Sequence, residues 1–335
     1  MRGAFWVPPQ KSLGKRKTLR VRGLISRFAK DPGNSDGEFY QVTKTGFARG
    51  IFNGGYTSTN VNTIDYITIA TAGNAIGFGS LSATRRGTAS CASVSRGIFS
   101  GGCEAARVNT IEYVTILTTG NTTDFGDLLS SIFEFIGGGN TTRGIFAGGS
   151  GASGNINTIQ YITIATTGNT TSFGVLSGII SYSGVVNSPT RLCNGGGNAY
   201  TNNIAYITIA TTGNSSSFGQ LTSSRMGLSG CSSSTRGVFS PGNTVSGAVN
   251  TIDYITIATT SNASSFGQLS VTMYETSACS SNITGIFGGG SDGITTQTAI
   301  YSIIIATTGN SSNFGSLTVG RYDLSGCSNA HGGLY

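Results

Sequence analysis

Asn62-Thr-Ile-Asp-Tyr-Ile-Thr-Ile-Ala70 returns with small changes along the chain, and its reading decides the fold. Its tyrosine falls at Tyr66, Tyr113, Tyr161, Tyr206, Tyr254 and Tyr301, which gives six repeats with a mean period of 47 residues. An internal period of roughly 20–50 residues marks a solenoid or a propeller. Tandem units share one continuous core, so the 335 residues predict a single repeat domain with an arm rather than several globular domains.

Within the phrase, Ile64, Tyr66, Thr68 and Ala70 share one face of an extended strand, and Thr63, Asp65, Ile67 and Ile69 share the other. Both faces are partly apolar, which predicts a sheet packed on both sides. Upstream, Arg49-Gly-Ile-Phe-Asn-Gly-Gly55 returns at Arg96 and Arg143, and with drift at Arg191, Arg236 and Thr284. It reads as a short strand ending in a diglycine turn. Downstream, turns such as Thr71-Ala-Gly-Asn74 lead to an outer strand marked by Phe78-Gly79 and its equivalents. A last segment of small residues, Leu228-Ser-Gly-Cys-Ser-Ser-Ser234 in one unit, suits an innermost strand crowded against an axis.

Four strands in each of six units predict an all-β, six-bladed propeller over residues 37–335. Stacked helical units would need amphipathic helices, which the sequence lacks. The final small-residue segment, Leu324-Ser-Gly-Cys-Ser-Asn-Ala330, corresponds to the inner strand of the unit that begins at Arg49. Such a strand closes the ring and removes its open edge. Phe39-Tyr-Gln-Val-Thr-Lys44 competes for the same place, so either 37–48 or 324–335 completes the first blade.

Only 10% of residues are charged, against about 25% in ordinary domains, so solubility rests on Ser, Thr and Asn. The net charge of +7 is confined to residues 1–36, which hold nine basic and two acidic side chains; the rest is balanced at 11 each. No apolar run reaches the length of a membrane span, which predicts no membrane insertion, and the basic N-terminus lacks the apolar stretch of a secretory signal. Cys91, Cys231, Cys279 and Cys327 occupy one place in the repeat, so they are poor disulfide partners. With Cys103 and Cys193 they are expected to be reduced.

Chemistry-bearing residues are sparse. His331 is the only histidine, no C-x-x-C occurs, and no Lys-Ser/Thr follows the glycine runs. Catalytic residues, metal ligands and cofactor sites are therefore expected to be absent. His331 itself reads as a solvent-facing or capping imidazole. The position before the tyrosine is Asp65, Glu112 and Asp253 in three units but Gln160, Ala205 and Ile300 in the others, which predicts hydrogen bonds to neighbouring turns or blades. Arg49, Arg96, Arg143, Arg191 and Arg236 could form an anion-binding ring; the reading adopted is an arginine between blades that reaches backbone carbonyls.

The diglycine after the first strand, the aromatic of the second and the aromatic near the third resemble the kelch family of propellers over roughly residues 45–335. Kelch repeats generally carry Trp where this chain has Phe78 and Phe125. The repeated phrase, the Thr-Thr-Gly-Asn turns and Gly285-Ile-Phe-Gly-Gly-Gly290 resemble degenerate kelch-like repeats of bacteriophage structural proteins. That resemblance implies a virion component, made in the host cytoplasm and present in several copies in a symmetric assembly.

Residues 1–36 are expected to be a basic, extended arm. It combines Lys15, Arg16, Lys17, Arg20 and Arg22 with the apolar Phe5, Trp6, Leu24, Ile25 and Phe28. Five apolar plugs exceed what a phosphate binder needs, so an anchor on other virion proteins is expected ahead of nucleic acid. The resemblance thus implies a non-enzymatic virion propeller in a tail, fibre-attachment or capsid-decoration position. A glycan-binding adhesin that reads host surface polysaccharide is the alternative.

Overall fold

The computed structural model describes residues 48–335. The anchor residues Phe5 to Phe28 and the segment 39–44 lie outside them. The described chain forms six four-stranded antiparallel sheets and two small hairpins, at 150–155 and 243–248. Blade I runs from the axis outward as Ser325–Ser328, Arg49–Asn53, Thr63–Thr68 and Ile76–Ser80. Blade II is Ala89–Ala92, Arg96–Ser100, Thr110–Thr115 and Thr123–Asp127; blade III is Ile136–Gly139, Arg143–Ala147, Thr158–Thr163 and Thr171–Val175. Blade IV is Gly184–Asn187, Arg191–Gly195, Asn203–Thr208 and Ser216–Gln220. Blade V is Gly230–Ser232, Arg236–Phe239, Thr251–Thr256 and Ser264–Gln268; blade VI is Ser277–Ser280, Thr284–Gly288, Ala299–Ile304 and Ser312–Ser316.

The inner strands neighbour one another in a closed circle, which makes the all-β, six-bladed propeller. Of the two candidates for the inner place in blade I, the C-terminal strand takes it: Ser325–Ser328 pairs with Gly50–Asn53. No helix among the described residues is long and apolar enough to cross a membrane.

Each blade buries both faces against its neighbours. Ile64 and Phe78 pack with Val114 and Ile116 of blade II, while Ile67 and Ile69 pack with Ile286 and Phe314 of blade VI. Both faces of one strand can be apolar because a bulge at Ile64/Asp65 breaks the alternation, and the same bulge returns in all six blades.

That bulge corrects the register of the sixth repeat. Tyr301 pairs with Phe287, as Asp65 pairs with Phe52, and the bulge falls at Ile300/Tyr301. Tyr301 therefore stands in the carboxylate's place, Ser302 takes the tyrosine's place, and Ile300 matches Ile64. A one-residue offset, invisible when tyrosines are aligned by eye, moves a side chain to the other face of its strand.

The seams between blades account for most of the repeated residues. At the outer rim, Gly120 donates its N–H to the Phe78 carbonyl, and the Asn121 side chain accepts from Ser80 N–H. The same asparagine clasp recurs at Asn74, Asn169, Asn214, Asn262 and Asn310, so the repeated Phe-Gly has a steric reason. A Cβ on Gly79 would come within 2.1 Å of the Gly120 carbonyl oxygen. Near the axis, Cys327, Cys91, Cys231 and Cys279 each press on a glycine of the next blade, at Gly97, Gly144, Gly285 and Gly50. Val186 does so against Gly237, and the III/IV seam reverses the arrangement by setting Gly138 against Leu192. All six cysteines are free thiols, five of them buried.

Candidate functional site

The recurring arginines sit at the start of the second strand and are held at two points. Arg49 stacks on Tyr66 at 4.4 Å and donates to the Ile116 carbonyl of blade II. Arg96, Arg143, Arg191 and Arg236 stack in the same way on Tyr113, Tyr161, Tyr206 and Tyr254, at 4.4–4.7 Å. Each donates to two carbonyls of the next blade: Ile164 and Ala165, Ile209 and Ala210, Ile257 and Ala258, Ile305 and Ala306. The tyrosines also meet Phe78, Phe125, Phe173, Phe218 and Phe266 edge-on. These guanidinium groups are staples between blades.

Sequence reasoning missed a second set of arginines. Arg85, Arg225 and Arg321 are among the largest fully buried side chains, and they pair with Glu112, Asp253 and Asp65 at 2.6, 2.6 and 2.9 Å. The carboxylates also accept from Ser82 N–H, Thr222 and Thr318 in the same connecting links. Gln160 takes the equivalent place in blade III and accepts from Leu129 N–H and the Thr170 hydroxyl. A signal was available in the sequence: an arginine stands 27 residues before Glu112 and 28 before Asp253. Where the acid is replaced by Gln160, Ala205 or Tyr301, the arginine is replaced by Ile132, Ile180 or Met273.

The links from one blade to the next inner strand surround one mouth of the axis. In each link a single residue has a left-handed backbone: Gly87, Glu134, Tyr182, Gly227, Glu275 and Asp323, with φ between 52° and 68°. The N–H of each donates to the carbonyl of its counterpart in the preceding link, over 2.7–3.2 Å. Six such bonds close a backbone ring that links every blade to two others. Four of the six left-handed positions carry a side chain other than glycine, and such outliers gather at functional sites.

Those side chains give the mouth its chemistry. Removal from water raises the Glu134 carboxyl to about 7; Glu275 adds repulsion, while the Tyr182 hydrogen bond, Arg86 and Arg107 pull the other way. Glu275 is likewise pushed to about 7 by desolvation against the pull of Arg86. Asp323 is raised well above the carboxylate range by burial, then by Glu275 and Glu134. Beside them Arg86 lies 3.9 Å from Asp323 and 4.8 Å from the ring of Tyr56, which packs on Tyr322 at 5.5 Å. Carboxyls that titrate near 7 can donate as well as accept hydrogen bonds at neutral pH. Three acids flanked by tyrosines form the group that the repeat consensus does not explain.

The opposite end of the axis is closed by the C-terminus. His331 caps a short 3-10 turn at Gly332–Leu334, so it is the capping imidazole, and it is half-buried. Its Nε2–H donates to the Ala92 carbonyl of blade II, and its Nδ1 accepts from Asn187 of blade IV and from Gly333 N–H. Burial holds its pKa down to about 4. Beneath it the inner strands leave an axial cavity of about 50 Å3, room for water rather than for a substrate. Among the described residues no group of three His, Cys, Asp or Glu is arranged to hold a metal ion.

Neither family models nor curated proteins match this chain.

Proposed function

We propose that the chain is a non-enzymatic structural module of a bacteriophage particle, a rigid ring displayed in a tail, fibre-attachment or capsid-decoration position and joined to other virion proteins through residues 1–36. The observation that carries this reading is the use made of the repeat. Its recurrent side chains join each blade to the next, at the Asn clasps, the Arg–Tyr staples and the cysteine–glycine contacts. A ring so tied meets a partner with little ordering cost, which suits docking. The kelch-like and phage-like character of the repeats rests on the resemblance of their phrases.

The test is sedimentation. After nuclease and moderate-salt treatment of a producing culture, the full chain should travel with intact particles through a gradient, and a chain lacking residues 1–36 should remain at the top as folded protein. Free full-length protein would overturn the proposal. Release by salt alone would point instead to nucleic acid as the partner of the arm.

A second reading, recognition of host surface glycan, is favoured by the acidic mouth with its paired Tyr56 and Tyr322. Aromatic faces and carboxyls that both donate and accept suit polyhydroxyl ligands. Tyr322→Ala should then lose binding to purified host polysaccharide while leaving sedimentation with particles intact.

A further inference from the structure

Blade VI departs from the other five along its outer hairpin. Strand pairing places Ser302 where Tyr66 stands in blade I, Thr284 where Arg49 stands and Ile304 where Thr68 stands. In blades I–V a tyrosine ring covers this face of the hairpin beneath an arginine, at 4.4–4.7 Å. Blade VI has neither, and a half-open cavity of about 360 Å3 lies along its hairpin, with Phe266 of blade V in its wall. Ser302 and Ser312 are direct strand partners and Ile304 lies two residues on, so these three lining residues share one face of the sheet. Thr307, Thr308 and Asn310 of the connecting turn complete the lining. Among the described residues none that lines the cavity is charged, and the hydroxyls of Ser302, Thr307, Thr308 and Ser312 bond to no protein group.

We propose that this cavity along the blade VI hairpin is a binding site for a neutral hexose ring. Its volume falls within the roughly 300–1,000 Å3 of small-ligand sites. A hydroxyl both donates and accepts, so four of them suit a ligand that does both around its whole ring. An ion would find no opposite charge there, and a purely apolar guest would cover the hydroxyls without bonding them. Ile304, 53% exposed, supplies an apolar patch for the C–H face of a sugar. The cavity sits at the turn end of the blade VI strands, whereas the acidic mouth is built from the links at their other end. Neither reading of function assigns it, and it stands whether or not the chain belongs to a virion.

The probes are the methyl glycosides of glucose, galactose and mannose, titrated into the full-length, isotope-labelled protein and followed by NMR. At least one should give saturable shifts at Ser302, Ile304 and the amides of Thr307 to Asn310, with a dissociation constant on the order of 1 mM, as for a few weak contacts. Cyclohexanol, a six-membered ring with a single hydroxyl, and the charged methyl glucuronide should bind about tenfold more weakly or worse. Ser302→Tyr restores the side chain of the other blades and should fill the cavity, weakening the sugar about tenfold or more. Tyr322→Ala, at the mouth, should leave binding unchanged, which separates this site from a glycan held there. No saturable shift with any of the three glycosides, or equal shifts with cyclohexanol, would overturn the proposal on the wild-type protein alone, even if Ser302→Tyr did not fold. Undiminished binding by a folded Ser302→Tyr variant would do the same. Shifts confined to Tyr56 and Tyr322 would also overturn it, while supporting glycan recognition at the mouth.

Discussion

Arg225 and Asp253 meet at 2.6 Å with both side chains wholly removed from solvent, and together they fasten the link before blade V to that blade's third strand. Breaking such a pair strands a charge in the interior and costs about 3–5 kcal/mol, whereas replacing both partners with well-packed apolar groups can be close to neutral. The chain already contains the apolar solution, since Met273 packs with Tyr301 at the equivalent seam. Asp253→Ala should therefore lower stability by about 3–5 kcal/mol in denaturant unfolding, while Arg225→Met/Asp253→Tyr should recover most of the loss. A double variant as unstable as the single one would show that the ion pair does more than fill the seam.

The cysteine–glycine contacts make a second test. A Cβ on Gly50 would stand 2.3 Å from the Cys279 sulfur, so Gly50→Ala overpacks the VI/I seam. The expected cost is about 1–3 kcal/mol. Cys279→Ala removes the sulfur and should relieve the clash, leaving the double variant more stable than Gly50→Ala alone. The coupling between the two positions should reach about 1 kcal/mol; simple additivity would mean that the seam relaxes around the methyl group.

The acidic mouth sets a pH dependence. Glu134 and Glu275 hold their protons up to about 7 in the folded ring, against 4.5 for a free glutamate. Above 4.5 the unfolded chain has released protons that the folded ring retains, so their contribution to stability falls as pH rises through 7. Glu134→Gln/Glu275→Gln cannot lose those protons. Its melting temperature should match wild type near pH 5 and exceed it by several degrees at pH 8. Parallel profiles would place the two carboxyls in water rather than in the closed mouth.

How much of this was legible beforehand follows from what repeats and what does not. The 47-residue period, the Asn turns, the Phe-Gly strand and the small inner strand are periodic, and the six-bladed propeller could be read from them, whereas the choice between 37–48 and 324–335 for the inner strand of blade I needed the pairing of Ser325–Ser328 with Gly50–Asn53. The recurring arginines were legible for the same reason, from Arg49 to Arg236, but the loss of the tyrosine in blade VI at Ser302 was hidden because Tyr301 stands one residue earlier. Glu134, Tyr182, Glu275 and Asp323 were not legible, because their common property is a left-handed backbone in the links, and glycine fills that position at Gly87 and Gly227. Shared backbone geometry across unlike side chains leaves no pattern in a sequence. The arm residues Trp6 and Arg20 belong to the 1–36 segment outside the described residues, so the anchor is tested by sedimentation rather than by geometry.

The C-terminus carries the last prediction. Ser325–Ser328 supplies the inner strand of blade I, and His331 then crosses the axis to bond blades II and IV at once. A chain that ends at residue 323 would expose the Gly50–Asn53 edge and open the axial core, and it should melt more than about 10 °C lower or lose its cooperative transition. His331→Ala removes only the crossing bonds, for a smaller loss of about 1–3 kcal/mol. The imidazole also gives that loss a signature. Its pKa is about 4 in the fold and 6.5 when free, so the unfolded chain gains a proton below 6.5 that the folded one refuses. Its contribution is complete above pH 6.5 and fades as pH falls towards 4. Wild type and His331→Ala should therefore differ most near pH 7 and converge near pH 4; a constant difference would mean that the ring nitrogens are not held by Ala92 and Asn187.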